Sequence, residues 1–220
     1  MRSFSIVVAA DLASGIGLKG GLPWRLRKDM SFFAKITSKV VPINVDASKQ
    51  DGIQKVNACI MGRRTWESIP AKFRPLASRF NVIVSRDPHY FDDKPEKTNP
   101  MVALATSLDV ALDLVESHQQ SPKTIASSDA IQIDRIFLIG GSQLYAEGVQ
   151  SKHCANIFLT RIQATVECDT FFPEIKESDY RLLPSEEGHT FLETFMQEPV
   201  QGGVIEEGAY KFEYTVYNRV

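Results

Sequence analysis

The sequence predicts an α/β fold, a mainly parallel sheet covered by helices on both faces with an antiparallel addition near the C-terminal end. Three observations carry this. Phe4–Ala10 and Arg135–Ile139 are apolar at nearly every position, as strands buried on both faces are. Segments of helical periodicity alternate with such strands over most of the chain. Further on, Pro199, Gly202, Gly203 and Gly208 separate two strand-like runs, the pattern of an antiparallel pair with a long loop.

Phe4–Ala10 is the first strand. Asp11–Gly21 carries Gly15, Gly17, Gly20 and Gly21 and reads as a loop able to close over a ligand. After Pro23 a helix runs to about Thr37, with Leu26, Asp29, Met30, Phe33 and Ile36 on one face. Ser38–Val56 is polar and reads as an exposed excursion. Asn57–Gly62 is the second strand, and Arg63–Ile69 a short helix that Pro70 stops. Phe80–Ser85 is the third strand, followed by a charged, proline-rich loop over Arg86–Pro100. Met101–Ala105 is a short strand. Ser107-Leu108-Asp109 opens a helix to about Val115, with Leu108, Ala111, Leu112 and Val115 on one face. Glu116–Asp134 is a second polar excursion. Arg135–Ile139 is ended by Gly140-Gly141, and a helix begins at Ser142. Asn156–Ile162 is strand six and Asp169–Pro173 a compact connection. Phe191–Met196 and Tyr210–Arg219 are the last two strands. In such sheets ligands bind beyond the carboxyl ends of strands, here after Ala9, Gly62, Ser85 and Ile139.

The totals narrow the function classes. A length of 220 residues suits a single domain over residues 1–220. A net charge of −2 carries no nucleic-acid signature, so an anion site must be local. Cys59, Cys154 and Cys168 are odd in number and lack CxxC spacing, which argues against disulfides or a zinc site and suits a reducing compartment. Asp11 stops the first apolar run, so it does not read as a signal peptide, and no run reaches membrane-spanning length. The expectation is a cytoplasmic chain, with an organelle left open and no metal.

Asp29 stands out as an acid in an apolar stripe. It fits the first turn of a helix, where the macrodipole favours it, and equally a carboxylate in a largely apolar cleft that binds or protonates a ligand. Arg63 and Arg64 at a helix N-terminus oppose the macrodipole unless an anion binds there; otherwise they extend into water. Ser85-Arg86 suits the 2′-phosphate of a dinucleotide, or a surface turn. Gly140-Gly141 is a phosphate cradle or a tight turn, without GxGxxG or GxxxxGK spacing. Arg79, beside Phe73-Arg74-Pro75-Leu76, clamps a carboxylate or snorkels over its neighbours. No Ser/His/Asp set or metal-ligand spacing supports a hydrolase or metalloenzyme.

These residues, in order, resemble dihydrofolate reductase. The resemblance rests on Val7-Val8-Ala9, Gly15-Ile16-Gly17, Leu22-Pro23-Trp24, Asp29 with Phe33, Met61-Gly62-Arg63-Arg64-Thr65-Trp66, Ser68-Ile69-Pro70, Arg74-Pro75-Leu76, Arg79, Gly140-Gly141, Thr160 and Asp169-Thr170-Phe171-Phe172-Pro173. It spans about Phe4 to Tyr217 and is of eukaryotic type. It implies an eight-stranded mixed sheet with flanking helices, and NADPH-dependent reduction of 7,8-dihydrofolate to tetrahydrofolate. Hydride goes to C6, and protonation of N5 is promoted by Asp29 through water. Leu22, Trp24 and Thr160 join Asp29 as the catalytic set. Val7 and Ile139 offer backbone carbonyls to the pterin. Val8, Ala9, Met30, Phe33, Ile69, Pro70, Phe73 and Leu76 line the substrate pocket, and Arg79 pairs with the glutamate α-carboxylate. The cofactor is held by Ala9, by Gly15, Ile16, Gly17, Leu18, Lys19, Gly20 and Gly21, and by Gly62, Arg63, Arg64, Thr65 and Ser68. Ser85, Arg86 and Asp87 continue that surface, as do Ile139, Gly140, Gly141, Ser142, Gln143, Leu144, Tyr145 and Glu147. The family's cis peptide at Gly140-Gly141 lets backbone approach the cofactor. Antifolate binding, a monomer, and no nucleic-acid or membrane partner complete the expectation. Three departures stand out: Asp29 in place of a longer glutamate, Ser78 where glycine often precedes the arginine, and Met30 for an aromatic. A fold-sharing reductase of the riboflavin pathway should lack the Asp29 and Arg79 pair. A non-catalytic folate or NADPH binder, or an added RNA-binding role, is disfavoured by the intact acid and near-neutral charge.

Overall fold

A computed structural model describes residues 3–40, 53–120, 123–124 and 130–220. In chain order its elements are β1 (Phe4–Ala10), β2 (Gly15–Gly17), α1 (Arg27–Ser38), β3 (Ile53–Gly62), α2 (Arg63–Ser68), β4 (Arg79–Val84), β5 (Val102–Ala105), α3 (Leu108–Gln120), β6 (Lys123–Thr124), β7 (Ala130–Leu138), α4 (Ser142–Gln150), β8 (Cys154–Ile162), β9 (Thr170–Phe171), β10 (Tyr180–Leu182), α5 (Ser185–Met196), β11 (Ile205–Glu207) and β12 (Tyr210–Arg219). The chain divides into two compact units, residues 37–137 and residues 3–36 with 138–220.

In the 37–137 unit the strand order is β7-β3-β4-β5, and β3, β4 and β5 run parallel. Ile60, Met61, Val82 and Ile83 are buried in the strands, and α3, with Ala111, Leu112 and Val115 buried, packs on β3 and β4. Their near-continuous apolar runs follow from burial on both faces. In the other unit the order is β10-β12-β8-β1. β1 and β8 are parallel, with Ala9 beside Thr160, and β12 runs antiparallel to both β8 and β10. Helix α5 packs against β12, and its Leu192 and Met196, four residues apart on one face, are buried. The expected class holds: eight principal strands, mainly parallel, with helices and an antiparallel C-terminal strand. β6 and β11 are short antiparallel additions to β7 and β12.

Several boundaries differ from the sequence reading. Phe191–Met196 lies inside helix α5 and is not a strand. Phe191, Leu192, Phe195 and Met196 sit at i, i+1, i+4 and i+5, a helical stripe, and Glu186 and Glu187 in the first turn suit the macrodipole. The hairpin partner of β12 is β11, joined through Gly208 at φ 61°. The polar excursions are shorter than expected at their described ends. β3 starts at Ile53, α3 reaches Gln120 and β7 starts at Ala130, with residues 41–52, 121–122 and 125–129 outside the description. The glycine-rich segment contains β2, which pairs with β9 in the stretch read as a plain connection. On α1 the buried face is Leu26, Asp29, Phe32 and Ile36, while Met30 is 48% exposed. Phe33, expected on the buried face, is half-buried; Phe32 is buried in its stead and stacks on Tyr214 at 3.9 Å.

Candidate functional site

Within the unit of residues 3–36 and 138–220, the site starts at the first turn of α1. Leu26 accepts the first helical hydrogen bond from the Met30 amide at 3.1 Å but has no polar side chain to cap the free N–H groups. Glu207 supplies that function: its carboxylate accepts from the Arg27 amide at 2.7 Å and the Lys28 amide at 2.9 Å. Asp29, next on the helix, is 7% exposed. Its Oδ1 accepts from Thr160 Oγ1 of β8 at 2.7 Å. Burial pushes the Asp29 carboxyl up to about 6; the Thr160 hydrogen bond opposes this and the Glu207 charge adds to it. A cavity of about 480 Å³ opens here, lined by Leu22, Trp24, Arg25, Leu26, Arg27, Asp29, Met30 and Ser31. Trp24 is buried, and its indole N–H meets no protein acceptor among the described residues.

On β1, the Val7 carbonyl accepts from the buried Tyr145 hydroxyl at 2.8 Å. Gly140 and Gly141 are joined by a cis peptide bond, with Gly140 at φ 132°, after the buried Ile139. Gly141 is the N-cap of α4 and gives it no side-chain cap. The glycine-rich segment is stitched down from both sides. Asp11 Oδ1 accepts from the Ala13 and Gly15 amides at 2.9 and 2.7 Å, and its Oδ2 from Val166 at 2.8 Å. Asp169 accepts from the Lys19 amide at 2.7 Å, and its own amide donates to Gly17 at 3.0 Å. Lys19 and Gly20 turn the chain at φ 51° and 77°, closing the Leu18–Gly21 bridge. Gly15 packs directly on Cys168, where a Cβ would overlap the sulfur.

Within the 37–137 unit, Gly62 caps α2 without a side-chain hydrogen bond, and Arg63 and Arg64 occupy its first turn. Arg63 lies 3.9 Å from Glu67 and 5.8 Å from the Tyr90 ring. At the end of β4, Ser85 is buried, its hydroxyl accepts from the Asp87 amide at 3.2 Å, and Arg86 is exposed. Arg79 is 8% exposed, an unusual place for a guanidinium. Its Nε donates to the Ala77 carbonyl at 3.0 Å and Nη1 to Thr37 Oγ1 at 2.9 Å. Burial lowers its pKa, and burial also pushes the neighbouring Cys59 thiol up to about 12. Ser78, preceding it, holds φ 58°, the left-handed geometry that glycine adopts more readily. Leu76 is buried, Ile69 half-buried, and Pro70 and Phe73 exposed.

Thus the structure brings Asp29, Thr160, Trp24, Leu22 and Met30 to one end of α1, and Val7 with Tyr145 to β1. Arg63, Arg64 and Thr65 share the α2 terminus. Four contributors escaped the sequence reading: Glu207 at the helix cap, Asp11 under the loop, Thr37 behind Arg79, and Tyr145 as holder of the Val7 carbonyl. For Glu207 the only signal was negative, a helix start with no capping residue of its own.

The family model described as dihydrofolate reductase matches residues 3–192. The chain is 34% identical over 219 residues to the dihydrofolate reductase of Pneumocystis carinii, covering 99% of this chain and 97% of that one. It is 34% identical over 220 residues to that of Aedes albopictus, covering 100% and 99%. Among solved structures, dihydrofolate reductase of Schistosoma mansoni matches with a TM-score of 0.69 at 31% identity, covering 98% of this chain and 97% of that chain. The chain belongs to the dihydrofolate reductase family and is an oxidoreductase that reduces dihydrofolate to tetrahydrofolate.

Proposed function

We propose that the reaction draws its hydride from NADPH, delivers it to C6 of the dihydropterin, and protonates N5 with the help of Asp29. The observation that carries this reading is the Asp29 carboxyl, buried at a cavity and raised to about 6. Such a group changes protonation near working pH and is suited to holding or passing a proton. Thr160 occupies Oδ1, leaving Oδ2 for the pterin's 2-amino group and N3. Trp24 offers an indole N–H to a water that relays the proton. Tyr145 uses one lone pair of the Val7 carbonyl, and the second remains for the pterin, with Ile139 offering its carbonyl likewise. Leu22, Val8, Ala9, Met30 and Phe33 supply apolar surface, and Ile69, Pro70, Phe73 and Leu76 do the same. Arg79, its guanidinium held by Thr37 and Ala77, pairs with the glutamate α-carboxylate.

NADPH, when bound, supplies the hydride. The chain fits such an anion: α2 and α4 begin without side-chain caps, so their amides are free for phosphates, and Arg63 and Arg64 add charge. Ser85, Arg86 and Asp87 select the 2′-phosphate, and residues 15–21 close over the nicotinamide end. Orientation and electrostatics favouring a protonated N5 account for most of the catalysis. The reading takes residues 1–220 as one reductase domain, a cytoplasmic monomer that binds antifolates in place of substrate. Among the described residues, no helix is long and apolar enough to cross a membrane.

The test follows loss of reduced-nicotinamide absorbance with dihydrofolate, comparing NADPH with NADH, for the parent protein and Asp29→Asn. Faster oxidation of NADPH, and a variant that binds NADPH but loses most turnover near neutral pH, are expected. Unchanged turnover in the variant removes Asp29 from the mechanism.

A further inference from the structure

The geometry points to Glu207 as a positioning residue for the reaction: from the β11–β12 hairpin it fixes the first turn of α1 and sets the charge environment of Asp29. Glu207 lies 178 positions beyond Asp29, yet both its oxygens are used on the two amides just before that residue. The grip is reinforced around it. Lys28 Nζ donates to the Glu206 carbonyl at 3.2 Å, and the Tyr214 hydroxyl to the Lys28 carbonyl at 3.4 Å. Tyr214 also stacks on Phe32. Ile205 and Phe212 of the hairpin pack with Trp24 and Leu26 in one buried cluster. The hairpin therefore sets both the position of the helix start and the wall of the cavity.

Local sequence gives α1 no capping side chain, so a distant carboxylate takes that place. Its charge has a second effect. An anion at a helix N-terminus offsets part of the positive end of the macrodipole, which would otherwise favour ionised Asp29. A like charge nearby also holds a carboxyl protonated to higher pH. The groups facing Asp29 are Thr160 from β8, Glu207 from β11 and Tyr214 from β12, with Arg27 and Lys28 on its own helix and Arg25 in the cavity wall. Of these, Glu207 is the carboxylate that raises Asp29.

The inference rests on the reading of Asp29 as the proton-promoting acid, and its test separates the two. Glu207→Gln keeps an acceptor for one amide and removes the charge; Glu207→Asp keeps the charge. Both are titrated with NADPH bound, which stabilises the fold by mass action, and the Asp29 carboxyl is followed by its carbon NMR shift. Glu207→Gln should move the Asp29 midpoint toward acid and lower turnover above that midpoint roughly twofold to threefold, with cofactor affinity unchanged. Because Glu207 is solvent-accessible, the difference should shrink as salt is raised. Glu207→Asp should restore the midpoint. A midpoint unmoved in Glu207→Gln, or a loss of turnover that salt and pH do not modulate, overturns the inference. Retained turnover in Asp29→Asn instead overturns the proton reading and leaves the carboxyl titration standing.

Discussion

Replacing Asp29 by Asn should stabilise the fold while it removes activity. Asp29 is 7% exposed, and its pKa stands at about 6 against an ordinary 3.8. Each pKa unit is about 1.4 kcal/mol, so keeping the carboxylate ionised in the folded chain at neutral pH costs roughly 3 kcal/mol at most. The amide forfeits part of this, since its NH₂ needs a partner and Thr160 loses a charged acceptor. A net gain of about 1–2 kcal/mol remains, a Tm rise of about 2–8 °C for a chain of this length. The sign with pH is fixed. Between the unfolded and folded values the native state binds more protons than the unfolded chain, so the parent's Asp29 contribution falls as pH rises through that window. The stability difference, variant minus parent, should therefore start about 1–2 kcal/mol below zero in acid, where only the amide's cost remains, climb by roughly 3 kcal/mol between about pH 4 and pH 6, and then level off at the net gain. Urea unfolding of both proteins across a pH series measures it, and the subtraction cancels the other titrating groups. A flat difference, or one largest in acid, would refute the argument.

Other expectations follow from the remaining geometry. Arg79→Leu should raise KM for dihydrofolate about tenfold to a hundredfold, the worth of a charge-assisted pair. Equal loss with a pterin lacking the glutamate tail sinks that assignment. Arg86→Ala should narrow the preference for NADPH over NADH about tenfold in kcat/KM; an undiminished ratio places the 2′-phosphate elsewhere. Gly15→Ala drives a Cβ into Cys168 Sγ and should destabilise by roughly 1–3 kcal/mol. Cys168→Gly in the same chain should recover much of that in thermal unfolding, and no recovery would locate the strain elsewhere.

Local pattern made much of this legible, and distance hid the rest. An acid among apolar neighbours at helical spacing marks Asp29, and Gly140-Gly141 after an apolar run marks the bend into α4. The βα alternation gave the parallel strands because each signal lies within about ten residues. Phe191–Met196 misled because two aromatics near a proline- and glycine-rich stretch resemble a strand, while the Glu186-Glu187 start signal lies outside the run itself. Phe33 and Met30 fit the expected stripe by spacing, yet Phe33 is half-buried and Met30 exposed while Phe32 is buried. Tertiary packing on Tyr214 decided between them. Glu207, Thr37 and Asp11 were out of reach for another reason. Each acts on backbone or side chains through contacts that composition and spacing do not encode.

The fit of Gly15 against Cys168 also makes that thiol a clock for the segment around it. Cys59 and Cys154 are wholly enclosed, so a thiol reagent meets Cys168 first. One side of its sulfur lies directly against Gly15, and the residue is half-buried. Labelling should therefore quicken when the strand at Gly15–Gly17 lifts from its partner at Thr170–Phe171. The increment over the rate of the closed form reports how often the clasp made by Asp11 and Asp169 opens, and a ligand that holds the clasp shut should remove that increment as it binds.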